Sequence, residues 1–256
     1  MIQVSDVGIG IVGKEGMQAS LASDFSILKF NYLRHLILWH GRLSYKRSAV
    51  LSQFVIHRGL IITIIQALFS IIFFFVAIPI YNGYLLVGYS TVYTSLPVFC
   101  LILDEDVDLE SVMNFPPLYK SLQKGRSLNL KTFLIWVWKS IYQGAVIMLV
   151  SIIIFPDSFV NIVSITFTAL IFIELLNIMT EVHKIKLLMV VSQVFTVFIY
   201  IFSIVTLRQY FDMSYITPEF LMKVLIITAI CWLPMHLLKK IVEKCDPSAE
   251  AKVQKS

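Results

Sequence analysis

Residues 187–207 read LLMVVSQVFTVFIYIFSIVTL, a run of 21 residues without a charged side chain. An α-helix rises about 1.5 Å per residue, so about 20 apolar residues cross the roughly 30 Å hydrocarbon core of a bilayer. The run therefore predicts a helix that spans a membrane.

Five more apolar blocks of about this length occur along the chain, at residues 52–80, 85–103, 133–155, 159–179 and 220–238. Over 256 residues, 58% are hydrophobic and 14% are charged, and the mean hydropathy is +0.82. A water-soluble core cannot absorb this excess of apolar side chains. We predict an α-helical polytopic membrane protein with six transmembrane helices.

The basic residues flank the apolar blocks and do not form a patch interleaved with exposed aromatic residues. The formal net charge of +5 therefore does not indicate a nucleic-acid partner. The three cysteines have no paired spacing, so no disulfide framework is predicted.

The charge of the connections predicts the orientation, because cytosolic loops carry an excess of Lys and Arg. Three connections are basic, and their residues are Lys120, Lys124, Arg126 and Lys131, then Lys184 and Lys186, then Lys239, Lys240 and Lys244. The alternate connections at 79–83 and 156–158 have no basic residue, and 208–219 has only Arg208. Both termini are therefore predicted to be cytosolic.

The region before the first block has a different composition. Residues 1–27 contain VGIGIVG at 7–13 and then a polar segment, which predicts a short α/β unit of strand, turn and helix. Residues 28–51 are basic and amphipathic, as expected of a stalk helix at the cytosolic surface. The membrane domain is placed at 52–240 and a cytosolic tail at 241–256, disordered from Asp246 onward.

Gly8, Gly10 and Gly13 match the GxGxxG pattern of dinucleotide-binding turns. That function requires a βαβ unit, whereas this segment has room for only one helix before the membrane. We expect no parallel sheet and interpret the glycines as a tight turn.

The histidines and clustered carboxylates offer no clear catalytic or metal site. The histidines lack metal-ligand spacing and are interpreted as interfacial residues: His35, His40, His57, His183 and His236. A run of carboxylates after the second block is interpreted as a solvated acidic loop: Asp104, Glu105, Asp106 and Asp108. No catalytic residue is assigned to this chain.

Polar residues within the spans indicate a possible transport path, because charged groups in hydrocarbon are costly and usually face a cavity or a partner. Arg58 has two interpretations that stay open, a snorkelling anchor and a path residue. Gln66 lies on the same face at i+8, and Ser90 and Thr94 repeat at i, i+4 before Pro97. Pro97 lacks an N–H and loosens its helix. Together these five residues predict a polar path between two helices.

Four other polar residues lie inside predicted spans: Lys139, Glu174, Asn177 and Gln193. For these we favour hydrogen bonding between helices over a role in transport.

Four stretches resemble one protein family. DVGIGIVGKEGMQASLASDFSI at 6–27 looks like the end of the phosphorylation domain of P-type ATPases. HGRLSYKRSAVLSQFVIHRGLIITIIQ at 40–66 and YSTVYTSLPVFCLILDED at 89–106 resemble the stalk with the fifth membrane helix, and the sixth helix, of the type IV, phospholipid-transporting branch. KGRSLNLKTFLIWVWKSIYQG at 124–144 resembles the approach to the seventh helix.

The chain is most similar to class II of that branch, which implies a flippase that moves aminophospholipids to the cytosolic leaflet. The resemblance also implies residence in trans-Golgi network or endosomal membranes and no obligatory accessory subunit. Many members have Lys-Asn where this chain has Arg58 and Gly59, Glu at Gln66 and Asn at Ser90. Thr94 and Pro97 match the family.

ATP and Mg²⁺ are implied for full-length members, but the Asp-Lys-Thr-Gly nucleophile motif and the magnesium segment are absent from these 256 residues. We expect this chain to start at an internal methionine of a longer protein and to lack ATP hydrolysis by itself. Two alternatives stay open, a non-catalytic truncated isoform that acts as a membrane interaction partner and an independent channel or transporter.

Overall fold

The computed structural model of the chain describes residues 4–13, 18–122, 128–154, 159–206 and 217–245. Its helices are α1 Gln18–Leu21, α2 Tyr32–Ile72, α3 Gly83–Ile102, α4 Leu109–Asn114, α5 Leu130–Ile154, α6 Phe159–Glu181, α7 Leu187–Thr206 and α8 Pro218–Cys245. A 3₁₀ helix at Pro116–Ser121 follows α4. Among these described segments, six helices are long and apolar enough to cross a membrane, namely α2, α3, α5, α6, α7 and α8. The predicted polytopic helical fold is confirmed.

The predicted stalk and the first span form one continuous helix, α2. Its turns at Leu36–Gly41 are π-helical, and α-helix resumes at Arg42. The second span, α3, also contains a π-helical stretch, at Tyr89–Tyr93. Such wide turns insert an extra residue into the helix and are frequent at functional sites.

The first span ends at Ile72, eight residues before the end of the apolar block at 80. Phe74 and Phe75 adopt positive φ angles of 57° and 58°. The Phe75 N–H donates to the Ser70 carbonyl at 2.6 Å, which is the closing hydrogen bond of a Schellman C-cap. Glycine usually occupies the left-handed position of this cap, which is Phe74 here, so the apolar sequence did not indicate that the helix ends at Ile72.

The predicted end of the last helix is too early. Helix α8 continues to Cys245, whereas the apolar block ends at 238. The helix persists through Lys239, Lys240 and Lys244 because long basic side chains have good helix propensity. The predicted disorder from Asp246 onward lies outside the described residues. So do Lys124, Arg126, Arg208 and the connection at 156–158.

The expectation that no parallel sheet forms is wrong. Strand β1, Ile9–Ile11, pairs in parallel with strand β2, Phe25–Ile27. The four-residue α1 lies between them, so the chain returns quickly enough for a second strand. The Asp24 carboxylate accepts the Gly8 N–H at 2.7 Å and secures the start of both strands.

Gly10 explains part of the glycine pattern. A Cβ at this position would lie 2.7 Å from the Ala19 carbonyl oxygen, so only glycine lets α1 pack directly on β1. The turn that the pattern predicts falls largely on residues 14–17, which are outside the described residues.

The core of the membrane domain lies around α6, most of whose side chains from Ile162 to Glu181 are buried. The Phe167 ring of α6 contacts the rings of Tyr81, Tyr89, Tyr93 and Tyr200 from neighbouring segments. Long α2 packs along α5, and a Cβ on Gly144 of α5 would lie 2.9 Å from Ile64 Cγ2. These contacts fix α2 and α3 against the core.

Candidate functional site

Arg58 connects α2 to α3 inside the membrane domain. Its Nη1 donates to the Thr94 hydroxyl at 2.6 Å and is 3.5 Å from the Ser90 carbonyl oxygen. Its guanidinium carbon lies 5.9 Å from the centre of the Tyr89 ring. The side chain thus reaches a neighbouring helix, and the structure brings together three of the predicted path residues, Arg58, Ser90 and Thr94.

The regular hydrogen bonding of the α3 backbone is interrupted near Thr94, for reasons visible in the sequence. Pro97 has no N–H for the carbonyl one turn earlier, and the π-helical stretch ends four residues before it. The Thr94 hydroxyl donates to the Tyr89 carbonyl at 2.6 Å, and the Ser95 hydroxyl donates to the Ser90 carbonyl at 2.9 Å. Hydroxyl groups therefore satisfy carbonyls that the irregular helix exposes.

Gln66 has a different local role. Its Nε2 donates to the Ile78 carbonyl at 3.1 Å, and its Oε1 accepts the Ile80 N–H at 2.8 Å. Both ends of the amide therefore hold the segment that follows the Schellman cap. Eight residues of helix place Gln66 about 12 Å along the axis from Arg58.

Tyr89 and Glu174 adjoin this site, although the sequence offered no link between them. The Tyr89 hydroxyl lies 3.2 Å from Glu174 Oε1 and 3.4 Å from the Arg58 carbonyl oxygen. Glu174 is fully buried, and its Oε2 has no hydrogen-bond partner among the described residues. Tyr89 and Glu174 are 85 residues apart in the sequence, so no local pattern predicts this contact.

A second polar cluster lies one turn further along α6. Asn177 donates to Gln143 Oε1 at 2.9 Å and lies 3.3 Å from His57 Nε2. His57 Nδ1 lies 2.6 Å from the Ser140 hydroxyl. The interfacial interpretation of His57 is therefore wrong, because its ring is fully buried among hydrogen-bonding partners from two other helices.

Two other polar residues of the spans lie elsewhere. Lys139 pairs with Glu181 at 3.4 Å, and Lys239 pairs with the other oxygen of Glu181 at 2.9 Å. Gln193 Nε2 is buried without a hydrogen-bond partner in the part of the chain that the structure describes. Interhelical bonding thus fits Lys139 but leaves Gln193 unexplained.

The acidic segment after α3 is a clamp, so its interpretation as a simple solvated loop is wrong. Asp106 is 6% exposed and forms a bidentate ion pair with Arg42, which is fully buried. Lys46 also pairs with Asp106, at 2.9 Å. Burial alone would raise the pKa of Asp106, but the hydrogen bonds and charges of these two cations lower it from 3.8 to about 2.

The same segment binds the turn between α6 and α7. Asp104 accepts the backbone N–H groups of His183 and Lys184 and lies 2.8 Å from His183 Nδ1. Burial opposes the ionisation of Asp104, but these hydrogen bonds outweigh it and lower its pKa. The hydrogen bond to Asp104 raises the pKa of His183. Glu105 pairs with Lys186 at 2.9 Å.

Comparison with known proteins agrees with this architecture. Residues 20–248 match the family model described as the phospholipid-translocating P-type ATPase C-terminal region. The chain belongs to the phospholipid-translocating P-type ATPases. Six apolar helices among the described residues make it a multi-pass membrane protein, and the family match makes it the C-terminal membrane region of such an ATPase.

Among the family's members, the chain is 51% identical over 254 residues to the probable phospholipid-transporting ATPase IIB of Danio rerio. It is 49% identical over 265 residues to that of Homo sapiens, and 47% identical over 258 residues to the phospholipid-transporting ATPase NEO1 of Saccharomyces cerevisiae. Each alignment covers 99% of this chain but only 22–23% of the relative.

Proposed function

We propose that this chain forms the C-terminal membrane part of an ATP-driven flippase, which moves aminophospholipids to the cytosolic leaflet. The observation that carries the proposal is Arg58, a cation within the membrane domain whose hydrogen bonds go to the neutral oxygens of Thr94 and Ser90. A guanidinium has five N–H donors and suits the two free oxygens of a phosphodiester.

The path residues have different roles according to their positions. Arg58 and Thr94 bind the phosphate of the headgroup, while Pro97 and the Ser90 carbonyl keep α3 open beside them. Gln66 holds the end of the path by fixing residues 78–80. The π-helical stretch lets α3 change its register at low cost during transport.

Hydrolysis of ATP, assisted by Mg²⁺, would supply the free energy for transport in the full-length protein, as the resemblance implies. We propose trans-Golgi network or endosomal membranes as the location, and no obligatory accessory subunit. The family match favours this function over the alternative of a non-catalytic membrane interaction partner.

A lipid-binding measurement tests the role of Arg58. The 256-residue chain, in nanodiscs of phosphatidylcholine, is titrated with a photoactivatable phosphatidylserine or phosphatidylethanolamine. Arg58→Met removes the charge-assisted hydrogen bonds to phosphate and is expected to reduce labelling of α2 and α3 about tenfold or more. Arg58→Lys is expected to retain part of the labelling.

Lys223→Met is the matched control, because Lys223 is also a cation in a spanning helix but pairs with Glu219 of the same helix. It is expected to leave labelling unchanged. Labelling by Arg58→Met equal to that of the unmodified chain rejects the proposed path.

A further inference from the structure

Glu174 is a buried carboxyl group to which the proposed lipid path assigns no role. The side chain is fully buried in α6, seven residues before its end at Glu181. An ionised carboxylate with one neutral donor is costly to bury, and the cost is relieved by a proton or by a cation. Its Oε2 has no hydrogen-bond partner among the described residues, so no such cation contacts that oxygen there.

The hydrogen bonds of the Tyr89 hydroxyl favour the protonated form of Glu174. The Tyr89 hydroxyl carries one proton but lies near two acceptors, Glu174 Oε1 at 3.2 Å and the Arg58 carbonyl at 3.4 Å. If Glu174 is ionised, that proton serves only one of them. If Glu174 is protonated, the acid donates to the Tyr89 oxygen and Tyr89 donates to the Arg58 carbonyl, so the chain of hydrogen bonds is complete.

Charged and titratable groups approach Glu174 from four packed helices. They are Arg58 of α2, Tyr89 of α3, Lys139 of α5 and Cys231 of α8. Lys139 shares the Glu181 carboxylate with Lys239, so one anion there faces two cations. Arg58 and Lys139 are therefore the two cations whose charge acts on Glu174, and of these Arg58 borders the proposed lipid path.

We propose that Glu174 is an intramembrane proton-binding site, occupied in this conformation and linked through Tyr89 to the binding of a phosphate-bearing headgroup at Arg58. The linkage rests on the proposed function, whereas the proton site does not. A phosphate at Arg58 neutralises one of the two cations that favour ionised Glu174, so headgroup binding and proton binding reinforce each other. The proton comes from the aqueous phase and returns there when the headgroup leaves.

Infrared difference spectroscopy of the 256-residue chain in nanodiscs tests the proton site. At neutral pH we expect a carbonyl stretch from a protonated carboxylic acid, which Glu174→Gln abolishes. Glu219→Gln is the matched control and is expected to keep the band, because the Glu219 side chain is 72% exposed and pairs with Lys223 of its own helix. A band that persists unchanged in Glu174→Gln overturns the proposal.

Tyr89→Phe provides a second, milder variant. It removes the hydroxyl that contacts Glu174 but keeps the ring, so the acid loses a hydrogen bond and its carbonyl stretch is expected to move to higher frequency. An unshifted band contradicts the role of Tyr89.

The linkage is tested by titrating phosphatidylserine against pH. We expect tighter binding at lower pH, by at most tenfold per pH unit for one linked proton, and no such dependence in Glu174→Gln. An equal pH dependence in both proteins refutes the linkage. If Arg58→Met binds lipid normally while Glu174→Gln loses the infrared band, the lipid path is wrong and the proton site stands.

Discussion

Asp106 holds the basic part of α2 against the segment that follows α3. Its carboxylate forms ion pairs with Arg42 and Lys46, and Arg42 is fully buried. Removal of one partner from a buried pair is costly, because the other charge stays buried without compensation. Asp106→Asn is expected to lower the free energy of unfolding by roughly 2–4 kcal/mol. Equilibrium unfolding in mixed detergent micelles measures this loss.

The pH dependence of the same pair has a defined sign. The pKa of Asp106 is lowered from 3.8 to about 2 on folding, so its stabilisation is complete above about pH 4 and is lost as the pH falls toward 2. Asp106→Asn is expected to flatten the stability curve in this window. Asp108→Asn is the control, since the Asp108 side chain is 73% exposed and its pair with Lys184 contributes little. An equal effect of both substitutions would refute the clamp.

His183 gives a second pH effect, of opposite sign. Its hydrogen bond to Asp104 raises its pKa above 6.5, so the charged ring stabilises the fold below pH 6.5 and the benefit is lost as the pH rises through the raised value. His183→Gln is expected to remove this loss of stability, which a thermal unfolding series from pH 6 to about pH 9 detects. His40→Gln, on the stalk part of α2, should leave the loss in place. If His183→Gln keeps it too, the assignment fails.

At the scale of residues, local sequence rules predicted members of the candidate site but not the residues around them. Arg58 and Thr94 were recognisable because charge and hydroxyl groups are rare within apolar blocks. Tyr89 looked like an ordinary aromatic residue of a span, and nothing in the sequence paired it with Glu174. His57 was interpreted as interfacial because the histidines lack metal-ligand spacing, whereas helix packing turns His57 and Arg58 to different partners.

At the scale of elements, apolar length predicted all six long helices, and the errors lie at their ends. Membrane hydropathy measures whether a residue tolerates lipid and not whether its backbone is helical. Phe73, Phe74 and Phe75 are as apolar as the helix before them, but the last two adopt left-handed backbone angles. Conversely, α8 continues through three lysines beyond the apolar block.

The close packing of α2 and α5 depends on Gly144. A Cβ there would lie 2.9 Å from Ile64 Cγ2 and 3.2 Å from the Ile61 carbonyl oxygen, so Gly144→Ala is expected to push the helices apart. We expect a loss of roughly 1–3 kcal/mol in the free energy of unfolding in mixed micelles.

Gly59 is the matched control for this prediction. No atom lies within 4 Å of a Cβ built on it, so Gly59→Ala is expected to be neutral or to stabilise α2 by up to about 1 kcal/mol. Equal destabilisation by both substitutions would show that a general glycine effect, and not the α2–α5 contact, is being measured.

At the scale of the whole molecule, the described ion pairs that join different helices and loops lie at one end of the bundle. The basic start of α2, the acidic segment after α3 and the turn between α6 and α7 meet there. Lys239 of α8 joins them through Glu181. These are the same connections whose positive charge predicts a cytosolic location, so the residues that predict the orientation also hold together the end predicted to be cytosolic.

The orientation is tested with the cysteines of the chain. Cys100 and Cys231 are buried and Cys245 is exposed, so a membrane-impermeant maleimide should react with Cys245 alone. In sealed vesicles with the cytosolic face outward, we expect Cys245 to be labelled without detergent. Asn82→Cys in a Cys245→Ser background should be labelled only after permeabilisation, because Asn82 is exposed at the opposite end. Labelling of both positions from the same side would require an even number of crossings between them, whereas the six-span topology has five, and would reject that topology.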